Sequence, residues 1–195
     1  MKFLITILIG YLIGCFSSAY FVGKISKGID IRHHGSGNAG ATNALRVMGL
    51  KLGALTFLLD ALKGIVAVIV GRLIMGDYGG LICGLLVVIG HNWPIFLQFK
   101  GGKGVATSIG VLVSLHLPSA LAAAPLAILL IFITRYVSLG SLVFLGSVPI
   151  SYALVARDFR KEYFVLALLL ALLSIVRHRE NIKRLLAGNE NKIGR

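Results

Sequence analysis

Three polar segments carry most of the side chains in this sequence that could do chemistry. In the first, Gly35-Ser36-Gly37-Asn38 leads through Ala39-Gly40-Ala41 to Thr42-Asn43 and on to Arg46. Glycines let backbone amides approach a ligand closely and line an anion-binding concavity. Ser36, Asn38, Thr42 and Asn43 add neutral hydrogen-bonding groups, and Arg46 can grip a phosphate with two parallel bonds. The competing reading is an ordinary turn before a helix, with Thr42 or Asn43 as its N-cap. The second segment runs from Gly90-His91-Asn92-Trp93-Pro94 to Phe99-Lys100-Gly101-Gly102-Lys103-Gly104 and ends as a glycine-lysine loop opening a helix. Free backbone N–H groups, the positive end of a helix dipole and lysine charges together suit a phosphate. The spacing is not that of a nucleotide-binding P-loop, which argues against an NTPase.

The third segment, Arg177-His178-Arg179-Glu180-Asn181 through Glu190, follows the last apolar run with helical spacing. His178 and Asn181 are three residues apart and share one face beside Arg177, so a titratable group and an amide next to a cation can act on a hydroxyl. A basic amphipathic helix lying on anionic lipid reads the same way. His33-His34 has no companion cluster of Cys, Asp or Glu, so solvent-exposed histidines are expected and no metal is assigned. Cys15 and Cys83 fall inside apolar runs and read as small packing residues.

Composition says what must position these segments. Of 195 residues, 57% are hydrophobic and 14% charged, far from the roughly 25% charged of a soluble domain. Apolar runs recur at about 3–23, 52–75, 80–97, 105–117, 119–134, 138–156 and 162–176. The expected fold is all-α, a polytopic transmembrane helix bundle of about seven spans, some of them short, forming a single membrane domain over 1–195. Lys2 followed by an apolar run to Cys15 has the look of a lipoprotein signal, but everything downstream is itself membrane-embedded, which argues against it.

The formal net charge of +13 sits in short blocks between apolar runs, where the positive-inside rule would place it, so nucleic acid is not an expected partner. If 105–134 crosses twice, around Pro118, then segments 24–51, 98–104, Arg135 and 177–195 share the cytoplasmic face. The N-terminus then lies outside and the C-terminus inside. A single helix kinked at Pro118 and Pro125 would strand the basic tail outside. Arg157, Arg160 and Lys161 lie against the rule on the outer face. Asp60 and Lys63 sit within the second span at pairing distance on one helix face, which reads as a structural ion pair, with contact between Lys63 and substrate as the alternative.

Taken together, the three segments resemble the bacterial acyl-phosphate-dependent glycerol-3-phosphate acyltransferases, the PlsY family. The resemblance rests on Gly35-Ser36-Gly37-Asn38 with Thr42-Asn43 and Arg46, on Gly90-His91 with Pro94 and Phe99-Lys100-Gly101-Gly102-Lys103-Gly104, and on Arg177-His178 with Asn181 and Glu190. It implies acyl phosphate as a lipid-side donor, glycerol 3-phosphate as a cytosolic acceptor and 1-acylglycerol 3-phosphate as product. It also implies a bacterial cytoplasmic (inner) membrane location with the active site on the cytoplasmic face, and no cofactor. On this reading His178, Asn181, Ser36, Arg46 and Lys103 are expected to be catalytic. Gly37, Asn38, Thr42, Asn43, Lys100, Gly101, Gly102, Gly104 and Arg177 are expected to bind substrate, with Ser138 and Ser141 adding to the phosphate site from another loop. The donor is already an activated anhydride, so no covalent intermediate is needed, and Ser36 binds rather than becoming acylated. The rival class is a transporter of a phosphate-bearing anion or phospholipid, suggested by Asp60, Lys63 and glycine-broken helices; binding residues gathered on one face favour an enzyme.

Overall fold

A computed structural model of the chain describes residues 1–194, and every regular element in them is helical. They are α1 (Lys2–Cys15), α2 (Ser18–Lys27), α3 (Ala41–Met48), α4 (Leu50–Asn92), α5 (Val105–Thr134), α6 (Val137–Val155), α7 (Lys161–Arg177) and α8 (Arg179–Leu186), with short 3-10 turns at Ile31–His33 and Ile95–Leu97. Four helical stretches, 2–27, 50–97, 105–134 and 137–155, are long and apolar enough to cross a membrane.

Burial is distributed as a lipid solvent demands. Along α4 the buried positions are mostly small, among them Gly53, Thr56, Gly64, Ala67, Gly71, Gly79, Gly80 and Gly84. Leu58, Leu62, Ile69 and Leu73 of the same helix point outward, as do Phe132, Ile150 and Leu172 elsewhere. Lipid tails are as apolar as leucine, so large side chains gain nothing by turning inward, while small ones let backbones approach and pack.

The chain forms two compact units, Met1–Leu115 and the remainder from His116 onward. In the first, α1 and α4 are locked by close backbone contact. A Cβ at Gly14 would strike the carbonyl of Val87, and one at Gly90 the carbonyl of Tyr11. At 43 residues α4 would run roughly 65 Å if straight, more than twice the ~30 Å hydrocarbon core. It does not run straight: Met75 and Gly76 leave helical geometry, Gly76 at φ +62. The two halves fold back so that Gly71 and Gly79 meet backbone to backbone, and Arg72 pairs with Asp77 at 3.5 Å. This matches the gap expected between the second and third spans.

Two expected boundaries are corrected and a third is located. The run 3–23 is not one helix: the chain is extended at Phe16 and Ser17. The carbonyls that this break strands at Gly14 and Phe16 accept from Lys63 Nζ at 3.3 and 2.7 Å, a partner 47 residues or more away that local pattern does not disclose. The third run stops at Asn92 rather than 97, because Pro94 and a 3-10 turn follow. In 105–134 the backbone leaves helical geometry at His116 (φ −154, ψ 85), two residues before Pro118, as the reading of two helices around Pro118 expects; Pro118 and Pro125 themselves stand inside helical backbone.

In the second unit, Gly140 of α6 packs against Ile131 and the Ala127 carbonyl of α5. Beside the His116 break the rings of His116, Tyr152 and Tyr163 cluster, with His116 edge-on to Tyr152 at 4.9 Å. Ser119 Oγ lies 3.0 Å from the Tyr163 hydroxyl.

Candidate active site

The first polar segment is a folded loop with its own small core of Ala19, Ile31 and Ala39, against which Val47 and Met48 pack. Asn43, on the first turn of α3, organises it. Its amide nitrogen donates to the carbonyls of His34 (2.9 Å), Asn38 (3.0 Å) and Ile31 (3.3 Å), and its oxygen accepts from the Ser36 amide at 2.8 Å. Gly35 and Gly37 take positive φ of +60 and +71, and a Cβ at Gly35 would strike the Asn43 side chain. The helix is capped by Gly40 rather than by Thr42 or Asn43. Asn43 is thus committed to shaping the loop, while Ser36, Thr42 and Arg46 are exposed beside it. His33 and His34 are exposed, as expected.

The second segment is held against the first. The carbonyl of Leu97 accepts from Arg32 Nη1 at 3.1 Å, and Asn38 Nδ2 reaches the Gly101 carbonyl at 3.4 Å. Arg32 is itself fixed by Asp30, with Nη2 2.6 Å from Oδ2. Hydrogen bonding from the Arg32 guanidinium holds the Asp30 carboxyl down at about 2 and raises Arg32 in turn. Neither residue was singled out by sequence, because their effect appears only through the contact with Leu97, 65 positions away.

Gly101, Gly102 and Gly104 are required by packing. A Cβ at Gly101 would collide with the His91 carbonyl and Pro94, one at Gly102 with the His91 ring, and one at Gly104, which has φ +76, with Val88 and Asn92. The Gly102 amide donates to the His91 carbonyl at 3.0 Å. Gly104 leads directly into α5, whose first turns carry buried Thr107 and Ser108. Lys100 is exposed and Lys103 half-buried. Under this loop both polar atoms of the Asn92 amide and the Thr107 hydroxyl are buried with no protein partner. Sequence reasoning passed over both, since an asparagine at a helix end and a threonine in a first turn are ordinary.

The Asp60–Lys63 ion pair expected from their spacing forms. Nζ lies 2.9 Å from Asp60 Oδ1, which also accepts from Ser18 Oγ at 2.8 Å, and the lysine is 6% exposed.

In the second unit His178 stands where α7 ends and α8 begins, 2% exposed. Its Nδ1 is 2.9 Å from the Ser174 carbonyl, an acceptor only, so Nδ1 carries a proton and the ring is oriented by that bond. Asn181 donates its amide to Glu190 Oε1 at 2.8 Å, and Glu190 Oε2 accepts from Arg184 Nε at 2.9 Å. Glu190 therefore positions the asparagine. The tail it belongs to is tied down where the Ile193 amide donates to the Arg135 carbonyl. Arg177 is half-buried at the end of α7. Ser138 is buried with a hydroxyl lacking any protein partner, whereas Ser141 donates back to the Val137 carbonyl within α6.

Lipid-facing helices and polar loops rich in glycine, lysine and hydroxyl groups define an integral membrane protein equipped to handle phosphate. Comparison with known proteins makes the class specific. Residues 4–188 match the family described as glycerol-3-phosphate acyltransferase, and the chain belongs to that family. Relatives named glycerol-3-phosphate acyltransferase include one from Thermoanaerobacter sp. (strain X514), 50% identical over 100% of this chain and 97% of its own. Another, from Shouchella clausii, is 50% identical over 97% of this chain and 95% of its own. The fold is shared with a crystal structure of PlsY (YgiH), an integral membrane glycerol 3-phosphate acyltransferase in its glycerol 3-phosphate form. That match has a TM-score of 0.90 and 37% identity over 98% of this chain and 95% of that one.

Proposed function

We propose that the chain transfers a fatty acyl group from acyl phosphate to the 1-hydroxyl of glycerol 3-phosphate, releasing phosphate and 1-acylglycerol 3-phosphate. The observation that carries this reading is the joining of the Ser36–Arg46 loop to the Lys100–Gly104 loop by Asn38 at Gly101, with Arg32 tied to Leu97 just ahead of them, in a family whose solved member is described with glycerol 3-phosphate. Two phosphate-bearing substrates need several cations, and Arg46, Lys100, Lys103 and Arg177 supply them.

The hydroxyl oxygen attacks the acyl carbonyl carbon, the bond from that carbon to the phosphate oxygen breaks, and phosphate leaves with the electron pair. The hydroxyl proton passes to His178 Nε2 or to the acceptor's own phosphate dianion. Ser36, Asn38, Thr42 and the glycines of both loops bind substrate, Asn43 holds the first loop in shape, and Asn181, Ser138 and Ser141 serve the same reaction from the second unit. The transport reading loses its main motivation, because Lys63 and Asp60 are internally satisfied. On this proposal the reaction belongs to the cytoplasmic face of a bacterial inner membrane and to a single acyltransferase domain that needs no cofactor.

The test is to offer purified protein glycerol 3-phosphate with acyl phosphate, acyl-CoA or acyl carrier protein in turn. Lysophosphatidic acid from acyl phosphate alone is the expected result. Product only from a thioester would move the donor assignment, and no product from any donor would sink the reading.

A further inference from the structure

A buried polar cluster in the first unit connects the helix break at Phe16 with the glycine-lysine loop. Lys63 Nζ lies 2.9 Å from Asp60 Oδ1, 2.7 Å from the Phe16 carbonyl, 3.3 Å from the Gly14 carbonyl and 2.8 Å from His91 Nδ1. His91 Nδ1 also lies 3.5 Å from Asp60 Oδ1, but the nearer Lys63 ammonium has only donors, so Nδ1 accepts from it and the ring proton sits on Nε2. That edge of the ring rests against Gly102, so closely that a Cβ there would overlap it. The backbone of the same histidine accepts from the Gly102 amide at 3.0 Å. A single residue thus braces Gly102 with its ring and its carbonyl, and the ring is held by Lys63.

We infer that Lys63, acting through His91, is a positioning residue that sets the Gly101–Gly104 loop for phosphate. Two buried charges are costly to desolvate, and apolar residues of similar volume would pack α4 as well or better. What the pair provides beyond packing is direction. Lys63 fixes the tautomer and the plane of a ring whose far edge determines where the loop backbone lies, and so where its N–H groups and Lys103 are presented.

The inference rests on the proposed acyl transfer for its kinetic readout, and the second readout below does not. Removing one member alone would leave a lone buried charge, so the informative variant is Asp60→Asn with Lys63→Met, which removes both. His91→Asn is its companion, retaining an acceptor for the lysine but losing contact with Gly102. Each is expected to raise KM for at least one phosphate-bearing substrate roughly tenfold, about the loss of one hydrogen bond to a charged group, with a smaller fall in kcat. Because Lys63 acts through His91, adding the double change to His91→Asn should raise KM no further. Amide hydrogen exchange in 98–104 should quicken in both variants while that of α6 and α7 does not. Unchanged KM and unchanged exchange in 98–104, with only a lowered melting temperature, would reduce the cluster to a structural pair and overturn the inference. If the parent chain makes no lysophosphatidic acid, the functional reading falls and exchange alone decides the positioning claim.

Discussion

Asn43 spends its whole side chain on the loop that precedes it, one amide nitrogen serving three carbonyls and its oxygen serving the Ser36 amide. Replacing it by alanine leaves those groups buried or competing for water, at a cost of about 2–4 kcal/mol, and Ser36 loses its fixed place. Asn43→Asp tests the geometry more sharply: it is isosteric, yet it turns a donor into a second acceptor facing the carbonyls. Acyl transfer should fall at least as far in the aspartate variant as in the alanine one, measured on equal amounts of folded protein. A second residue-scale expectation concerns Asp30. Its pKa near 2, below the ordinary 3.8, means that the pair with Arg32 stabilises the fold above about pH 4 and ceases to as pH falls toward 2. The shift corresponds to about 2 kcal/mol. Asp30→Asn should therefore unfold more readily than the parent at pH 7, and the gap should close on acidification in a detergent unfolding titration. The residue types of the proposed site were legible because glycine, lysine and hydroxyl side chains are those that suit a phosphate. Which of them hold the loop rather than the ligand was not, because Asn43 and Asn38 are alike in sequence and differ only in what surrounds them.

Between elements, glycines act in two ways, and substitution should separate them. At Gly76 a Cβ would meet nothing, but φ is +62 with ψ −152, a conformation side chains resist. Gly76→Ala should cost about 1–3 kcal/mol through the backbone alone and leave contacts intact. Gly64 has ordinary helical geometry but faces the Thr107 carbonyl, so Gly64→Leu must push α4 and α5 apart. The first variant should lose stability and keep its KM values. The second should also disturb the Gly104–Thr107 entry to α5 and raise KM, which steady-state assays with stability measured in parallel would distinguish. Five of the seven expected runs, 52–75, 105–117, 119–134, 138–156 and 162–176, end within about two residues of helical limits, because apolar length reports them directly. The break at Phe16 escaped, since the lysine that satisfies its carbonyls lies on another helix.

At the scale of the whole molecule, the disposition of charge argues for one reactive face. Of the net +13, the blocks at 24–51, 98–104 and 177–194 flank the loops that carry chemistry, whereas Arg157 to Lys161 flank none of them. In the proposed topology the N-terminus lies outside and α4 and 105–134, which break at Met75–Gly76 and at His116, each cross twice; parity would then put all three segments on the cytoplasmic side. Both native cysteines are buried, so single cysteines can be introduced at exposed positions without a strong background. Lys27→Cys, Lys51→Cys and Lys183→Cys should react with an impermeant thiol reagent only in inside-out vesicles, and Asp158→Cys only in right-side-out cells. Labelling of Lys183→Cys from the outside, with Lys51→Cys still labelled from the inside, would mean that 105–134 crosses once. His178 and Asn181 would then lie across the membrane from Ser36 and Lys103, and one reaction could not use all four.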